Sequence, residues 1–238
     1  MKLLLLSNST NPGEAYLEWA KEYISDFYSK CGVKKILFIP YAGVTVGWDE
    51  YESKVQSVFS TLGLEVVSIH HSNDVLQAIA NAESIAVGGG NTFNLLKTIQ
   101  YNDLLEVIRK KVMHGMPYSG WSAGSNLACP TLRTTNDMPI VQPRSFDCFN
   151  LLPFQINPHY LDANPAGHGG ETRQQRIEEF LEANREMTVA GLREASLLEV
   201  FDDTIELKGR KPMRVFKYQQ VPKEYNPGDD IGFLMKTR

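Results

Sequence analysis

A serine between two glycines is the strongest chemical signal in the chain. Residues 120–124 read Gly-Trp-Ser-Ala-Gly, a G-x-S-x-G pattern between a predicted strand, 117–120, and a predicted helix that begins near Ser125. A serine on a tight strand-to-helix turn projects its hydroxyl outward, and the glycines let neighbouring backbone approach closely. The same residue types also occur in plain turns. The flanking elements favour a nucleophile, and we assign that role to Ser122.

A serine hydroxyl needs a base to take its proton and a third group to orient that base. Of the five histidines, His159 is the best placed, because it follows an extended segment downstream of the serine. Asp137 lies in a polar loop between them and gives the chain order Ser–Asp–His. Glu194 follows a predicted strand and could reach the same site from the other side. The residues alone do not choose between these two carboxylates.

Acyl transfer also needs N–H donors that face the developing oxyanion. The run Gly-Gly-Gly-Asn-Thr at 88–92 ends a predicted strand and begins a predicted helix, so it exposes free backbone N–H groups. We assign the oxyanion site to the N–H groups of Gly90 and Ala123, and we assign Asn91 to substrate binding. The glycines could instead cradle a phosphate, but the P-loop lysine and the dinucleotide-binding spacing are both missing.

Strands and helices alternate through most of the chain. Continuous apolar runs such as 2–6 and 35–40 are typical of strands buried on both faces of a parallel sheet. The segments between them have helical spacing, as at 14–30, and a helix over 171–184 with a strand at 188–191 continues the alternation. This order predicts one α/β domain over 1–238, with a mostly parallel sheet between two helix layers. From Ser196 the pattern predicts an antiparallel extension (196–238) that ends in a loosely structured last dozen residues.

Composition excludes several classes of partner. The 24 basic and 28 acidic residues are interspersed, so the basic stripe of a nucleic-acid-binding protein is missing. The apolar start at 3–6 is too short for a signal peptide, and no run reaches the length of a membrane span. The three cysteines lack zinc or CxxC spacing, so we expect reduced packing thiols in a cytoplasmic protein. Nothing in the sequence distinguishes a monomer from a homodimer.

Several stretches spread over about 3–195 resemble the peptidase E family of serine peptidases. They are LLLLSNST (3–10), AGVT with WDEY (42–45, 48–51), GGGNTF (88–93), GWSAG with NLACPT (120–124, 126–131), RTTNDMPIV (133–141), QINPH (155–159) and GETRQQRI (170–177). The resemblance implies a flavodoxin-like α/β/α sandwich related to the class I glutamine amidotransferase domain. It implies Ser122 as nucleophile and His159 as base, with no cofactor and no metal. For the acid that orients the histidine, the resemblance points to both Asp137 and Glu194, and we favour Asp137 for its chain order.

The resemblance also implies the substrate, a dipeptide that begins with aspartate and has a free N-terminus. The family's aspartate selectivity is assigned to an arginine that falls on Arg173, and a guanidinium can bind a carboxylate through two parallel hydrogen bonds. Whichever of Asp137 and Glu194 does not serve the histidine would bind the substrate's amino group. The alternatives are a solvated Arg173, a cyanophycinase-like peptidase or esterase on the same scaffold, and a binding module without turnover.

Overall fold

The structure, a computed structural model, describes residues 1–164, 166–167 and 169–236, so His168 lies outside the described part. The described residues form eleven strands, which are, in chain order, β1 (Lys2–Leu6), β2 (Lys35–Ile39), β3 (Glu65–Ser68), β4 (Ile85–Val87), β5 (Tyr118–Trp121), β6 (Gln155–Pro158), β7 (Thr188–Leu192), β8 (Ser196–Phe201), β9 (Thr204–Gly209), β10 (Met213–Lys217) and β11 (Lys223–Tyr225). The α-helices are α1 (Lys21–Cys31), α2 (Trp48–Phe59), α3 (Val75–Asn81), α4 (Thr92–Tyr101), α5 (Leu105–Met113), α6 (Ala123–Leu127) and α7 (Arg173–Ala183).

Seven strands form the main sheet in the order β3-β2-β4-β5-β1-β8-β9. The first five strands of the chain pair in parallel, and β8 and β9 add to β1 in antiparallel orientation. Apolar strands of this kind need cover on both faces because most of their side chains are buried. The predicted mostly parallel sheet is confirmed, and its carboxyl ends lie at one edge.

Helices cover both faces of this sheet, which confirms the predicted three layers. Side chains alternate between the faces of a strand. Leu3 and Leu5 therefore contact the apolar core beneath α3, α4, α5 and α6, whereas Leu4 and Leu6 contact the core beneath α1 and α2. No helix among the described residues is both long and apolar enough to cross a membrane.

A second sheet of four strands, in the order β11-β10-β7-β6, packs beside the main one. The strand predicted near 188–191 is present as β7, but it belongs to this sheet, because β8 takes the free edge of β1. Helix α7 covers the outer face through Ile177 and Leu181, which pack on Val189 and Phe216. The second sheet thus brings the ends of β6 and β7 to the main sheet's carboxyl edge, where Ser7 of the β1 end bonds to Leu192 of β7.

The C-terminal extension is divided between both sheets. Strands β8 and β9 complete the main sheet, while β10 and β11 complete the second one. Two expectations need correction here. The helix predicted from residue 14 begins only at Lys21, because Leu17 has a left-handed φ of 55° and the chain runs through turns before it. The last dozen residues include a 3₁₀ turn, Gly232–Lys236, that is held by buried Leu234.

Candidate active site

Ser122 lies at the corner where buried strand β5 turns into helix α6. Its φ of 54° and ψ of −110° fall outside the regions that non-glycine residues ordinarily adopt. A serine held out on a sharp strand-to-helix turn adopts such a strained conformation. Gly120 makes the turn possible, because a Cβ there would lie 2.6 Å from the carbonyl group of Gly124. The predicted turn is therefore present, with its serine hydroxyl next to a cavity.

His159 lies between Ser122 and Glu194. Its Nε2 is 2.8 Å from the Oγ of Ser122, and its Nδ1 is 2.8 Å from the Oε1 of Glu194. His159 follows β6 and Glu194 lies just after β7, and these two strands pair in parallel, so their carboxyl ends meet. This series of two hydrogen bonds is the arrangement that a nucleophile, its base and an orienting acid require.

Asp137, which chain order favoured as the orienting acid, lies elsewhere. Its Oδ2 accepts a hydrogen bond from the N–H of Thr92 at 2.7 Å and one from the Thr92 hydroxyl at 2.5 Å. Thr92 is the first residue of α4, and a carboxylate at a helix N-terminus interacts favourably with the helix dipole. The preference for Asp137 over Glu194 therefore needs correction, since it is Glu194 that contacts His159. Chain order carries no information about which loop folds over the histidine.

The glycine loop after β4 presents unpaired N–H groups beside the serine. The N–H groups of Gly89, Gly90 and Ala123 donate no hydrogen bond to any other described residue. Ala123 is the first residue of α6, where no intrahelical acceptor exists. Gly90 has a φ of 136°, which favours glycine. These donors surround the serine from two elements, so they can stabilise negative charge on a substrate oxygen.

A tyrosine and a tryptophan hold the glycine loop from behind. The hydroxyl of Tyr51 donates to the carbonyl of Gly89 at 2.9 Å and accepts a hydrogen bond from the Nε1 of Trp121 at 3.1 Å. Trp121 immediately precedes Ser122. The Tyr51 hydroxyl therefore links the glycine loop to the turn that carries the serine, and so holds both sides of the proposed oxyanion site. Burial raises the pKa of Tyr51, which therefore stays a neutral donor.

Two polar residues at the end of β1 position the histidine and the glutamate. The hydroxyl of Ser7 donates to the carbonyl of Leu192 at 2.7 Å and accepts from the N–H of His159 at 2.9 Å. The Oδ1 of Asn8 accepts from the N–H of Ala195, next to Glu194, at 2.8 Å. The residue types and spacing of this pair did not predict a role for it. Their position could have identified them, because polar residues that follow a buried parallel strand lie at the carboxyl edge of the sheet, where ligands bind.

A cavity of about 660 Å³ opens onto the serine. Its lining residues come from the ends of β1, β2, β4, β5 and β6 and from α2, and they include Ser9, Tyr16, Val44, Lys54, Gly90, Asn91, Ser122, Ile140 and His159. Among the described lining residues, Lys54 carries the one permanent positive charge, and its Nζ lies 4.4 Å from the centre of the Tyr16 ring. The volume is that of a small-ligand site.

Arg173 lines an adjacent, smaller cavity rather than the one that contains Ser122. That cavity also contains Asp137, Asn157 and Arg176. Within the described part of the chain, the Arg173 guanidinium has no hydrogen bond or ion pair, and its pKa is lowered by burial and by neighbouring Arg176, against an opposing effect of Asp137. A partly buried cation without a partner is favourable for an incoming anion.

Asn91, predicted to bind substrate, lines the large cavity, but its side-chain amide is already engaged. Its Oδ1 caps α4 by accepting from the N–H of Asn94 at 3.0 Å, and its Nδ2 donates to the carbonyl of Met138 at 2.9 Å. The amide thus joins the glycine loop to the segment that holds Asp137.

The buried cysteines are suited to packing. Cys129 and Cys148 are fully enclosed, and burial raises the pKa of Cys129 to about 12. A thiol with so high a pKa carries almost no thiolate near neutral pH. All three cysteines are free, as the sequence predicts.

Comparisons with known proteins identify the family of the chain. The model of peptidase family S51 matches residues 3–208. A peptidase E of Nostoc sp. is 49% identical over 99% of this chain and 97% of its own length. A peptidase E of Salmonella paratyphi A is 52% identical over 91% of this chain and 94% of its own length.

Solved structures show the same fold at low sequence identity. A putative peptidase E protein from Listeria monocytogenes has a TM-score of 0.68 at 22% identity, covering 88% of this chain and 98% of its own. A peptidase from an acI-B1 actinobacterium has a TM-score of 0.68 at 16% identity, covering 96% of this chain and 95% of its own. The Nostoc and Salmonella peptidase E sequences share about half of their residues with this chain over nearly its whole length. The chain therefore belongs to the peptidase E family, peptidase family S51, whose members are serine peptidases.

Proposed function

We propose that this serine peptidase is a dipeptidase that hydrolyses Asp-Xaa dipeptides with a free N-terminus through an acyl-enzyme on Ser122. The observation that carries the proposal is the hydrogen-bonded series from Ser122 through His159 to Glu194, beside unpaired backbone N–H groups. The relatives support the reaction class. The preference for aspartate rests on Arg173.

In the first half of the reaction, the Oγ of Ser122 attacks the peptide carbonyl carbon while its proton passes to the Nε2 of His159. Glu194 accepts the Nδ1–H and stabilises the imidazolium. The N–H groups of Gly90 and Ala123 bind the oxyanion. When the tetrahedral intermediate collapses, the C–N bond breaks and His159 gives the proton to the leaving amine.

In the second half, water replaces the departed amine. His159 takes a proton from this water, whose oxygen attacks the ester carbonyl of the acyl-enzyme. The ester bond to Ser122 breaks, and the proton returns to the serine oxygen. The products are free aspartate and the second amino acid, and no oxidant or reductant takes part.

Arg173 and Asp137 supply the charges that an N-terminal aspartate needs. The unpaired guanidinium of Arg173 would bind the side-chain carboxylate, and each charge-assisted hydrogen bond contributes about 1.5–3 kcal/mol. Asp137 lines the same cavity, and only its Oδ2 is bonded to Thr92. Its Oδ1 would accept a hydrogen bond from the substrate's α-ammonium group. This assignment gives the two carboxylates different roles, with Glu194 serving His159.

Lys54 fits the other end of a dipeptide. A dipeptide carries a free carboxylate one residue after the scissile bond, and Lys54 is a cation in the cavity that opens onto Ser122. A longer peptide has no carboxylate at that distance. We therefore expect Lys54→Met to lower kcat/KM for Asp-Leu more than for aspartate p-nitroanilide, whose leaving group has no carboxylate.

The decisive experiment compares Asp-Leu, Asn-Leu, β-aspartyl-leucine and a simple ester as substrates. We expect hydrolysis of Asp-Leu, with Asn-Leu slower by about 10²-fold or more because the amide leaves the partly buried guanidinium of Arg173 unpaired. Ser122→Ala should abolish turnover and also labelling by a fluorophosphonate. Preference for the β-aspartyl dipeptide or the ester would contradict the proposed substrate while keeping the serine chemistry. Lack of labelling in the wild type would contradict both.

A matched pair of arginines tests the aspartate site. Arg173→Ala should lower kcat/KM for Asp-Leu by about 10²-fold and leave Asn-Leu almost unchanged. Arg176→Ala is the control, because Arg176 lines the same cavity but its Nε lies 3.7 Å from Glu171. An equal loss in both variants would assign the effect to general positive charge rather than to Arg173.

A further inference from the structure

Four potential metal ligands converge on the surface where α2 begins. They are Asp49 and Glu52, one turn apart on α2, and His70 and His71, on the 3₁₀ turn that follows β3. One donor atom from each lies within 4.8 Å of every other. None of the four lines the cavity that contains Ser122. The proposed hydrolysis therefore gives this cluster no role.

The donor atoms already have the spacing of a coordination shell. The Nε2 of His70 is 2.8 Å from the Oδ1 of Asp49, and the Nε2 of His71 is 3.6 Å from the same oxygen. The Nε2 of His71 is 2.6 Å from the Oε2 of Glu52. Ligands on a tetrahedral zinc at 2.0–2.1 Å lie about 3.3 Å apart. Small side-chain movements would bring all four donors to one ion.

Ser68 orients two of the ligands. Its N–H donates to the Oε1 of Glu52 at 2.8 Å, so the other carboxylate oxygen, Oε2, faces the cluster. Its hydroxyl lies 2.6 Å from the Nδ1 of His70 and donates to the carbonyl of Phe38 at 3.4 Å. The short contact to Nδ1 orients the His70 ring so that its Nε2 faces the cluster. Outer contacts of this kind are typical of metal-binding histidines.

The chemistry of the four donors indicates the kind of ion that would fit. The Nε2 of His70 lies 2.8 Å from the Oδ1 of Asp49, so loss of the ring proton to a metal would leave two ligand atoms side by side. Two imidazoles and two carboxylates form a donor set that suits zinc and similar divalent transition metals better than magnesium or calcium, which favour oxygen alone.

We propose that Asp49, Glu52, His70 and His71 form a binding site for a zinc-class divalent cation. The ion would join the first turn of α2 to the end of β3. Residues 43–46, which line the active-site cavity, lie immediately before α2. The ion would therefore have a structural role, holding α2 and the end of β3 together behind one wall of the cavity, and the proposed hydrolysis would not use it. The proposal is independent of the substrate assigned above.

The test is titration of the metal-free protein with Zn²⁺ by calorimetry. We expect one tight site in the wild type, a tetrahedral Co²⁺ absorption spectrum when Co²⁺ replaces zinc, and no comparable binding of Mg²⁺. His71→Gln should weaken zinc binding by about 10²-fold or more. His71 is 54% exposed and makes no core contact, so the variant should fold, which its circular dichroism in EDTA will verify.

Two control variants separate this cluster from other histidines. His114→Gln removes an exposed histidine at the end of α5, and His159→Gln removes the active-site histidine, which could hold zinc with Glu194. Both should keep the tight site and the zinc-dependent rise in melting temperature, which His71→Gln should lose. Absence of tight binding in the wild type, or binding that His71→Gln leaves unchanged, would overturn the proposal.

Discussion

At the residue scale, the two ring nitrogens of His159 have different hydrogen-bond partners. Nε2 faces Ser122 and Nδ1 faces Glu194, so the glutamate selects the tautomer whose lone pair points at the serine. Asp137 has a different environment, since both hydrogen bonds that its carboxylate accepts come from Thr92 and reach the same oxygen, Oδ2. The two acidic residues can therefore be distinguished by kinetics.

Glu194→Gln should reduce kcat for Asp-Leu by about 10³–10⁴-fold with little change in KM. The amide stabilises neither the imidazolium nor the required tautomer, and an equivalent change in a serine protease has an effect of about that size. Steady-state kinetics with burst analysis would measure it. A rise in KM with an unaltered kcat would instead make Glu194 the ligand of the substrate's amino group.

Asp137→Asn should have the opposite signature, a KM raised by about 10-fold or more and a smaller change in kcat. The asparagine can still accept from Thr92, so the cap on α4 is kept, but the charge opposite the α-ammonium group is lost. A substrate without the amino group, succinyl-leucine, provides the control. The variant and the wild type should treat it alike, and a selective loss there would refute the assignment.

At the element scale, the ends of strands from two sheets meet at Ser7. This hydroxyl joins β1 of the main sheet to Leu192 at the end of β7 and to the N–H of His159 after β6. The backbone of His159 has a φ of 53°, so it needs such external support to hold its position. The serine and its base thus lie on different sheets, and a buried hydrogen bond sets their separation.

Ser7→Ala should lower kcat about 10-fold and destabilise the fold by about 1–3 kcal/mol, because the N–H of His159 loses its partner and the carbonyl of Leu192 keeps only the N–H of Tyr160. Chemical denaturation and steady-state kinetics would measure the two effects. Ser9→Ala is the control, since Ser9 lies on the same segment but its hydroxyl only accepts a long 3.5 Å bond from Thr10. Equal behaviour of the two variants would show that Ser7 does not position His159.

At the scale of the whole molecule, the C-terminal residues complete both sheets. Strand β8 pairs with every residue of β1, and Arg193 binds Asp162 and Glu224 across the second sheet. A chain that ends at Ala195 should therefore fail to fold, because the apolar edge of β1 would be exposed. Soluble yield and circular dichroism would decide, with a chain that ends at Lys236 as control. A cooperative melting transition of the shorter chain would contradict this expectation.

The Arg193 ion pairs also predict a pH dependence of stability. Hydrogen bonds from Arg193 hold the pKa of the Asp162 carboxyl below its ordinary value. A carboxyl with a lowered folded-state pKa stabilises the protein above its unfolded pKa, about 3.9, and loses that contribution as the pH falls through the folded value. Asp162→Asn should therefore unfold at a lower temperature than wild type at pH 7, by an amount equivalent to about 1 kcal/mol or less. A difference that persists undiminished at the lowest pH at which both fold would exclude this ion pair as the cause.

Local sequence determined most elements and the turn that carries Ser122. Continuous apolar runs specify buried parallel strands whatever their neighbours are, and the glycines around Ser122 permit a turn that few other residues allow. The motifs that carry the family resemblance lie in these local features, so the fold class and the serine chemistry could be inferred from them. Periodicity was not sufficient at 14–20, which has helical spacing but folds as turns and a short 3₁₀ helix before α1.

Only the tertiary structure decided which distant residues meet. Glu194 and Asp137 were both candidates along the chain, and chain order favoured Asp137. Parallel pairing of β6 with β7 instead places Glu194 beside His159. The zinc-class cluster has the same origin, since Asp49 and His70 are far apart in sequence and come together only when α2 packs over β3. Contacts between separate elements depend on strand order and packing, and neither of these produces a periodic pattern in a single sequence.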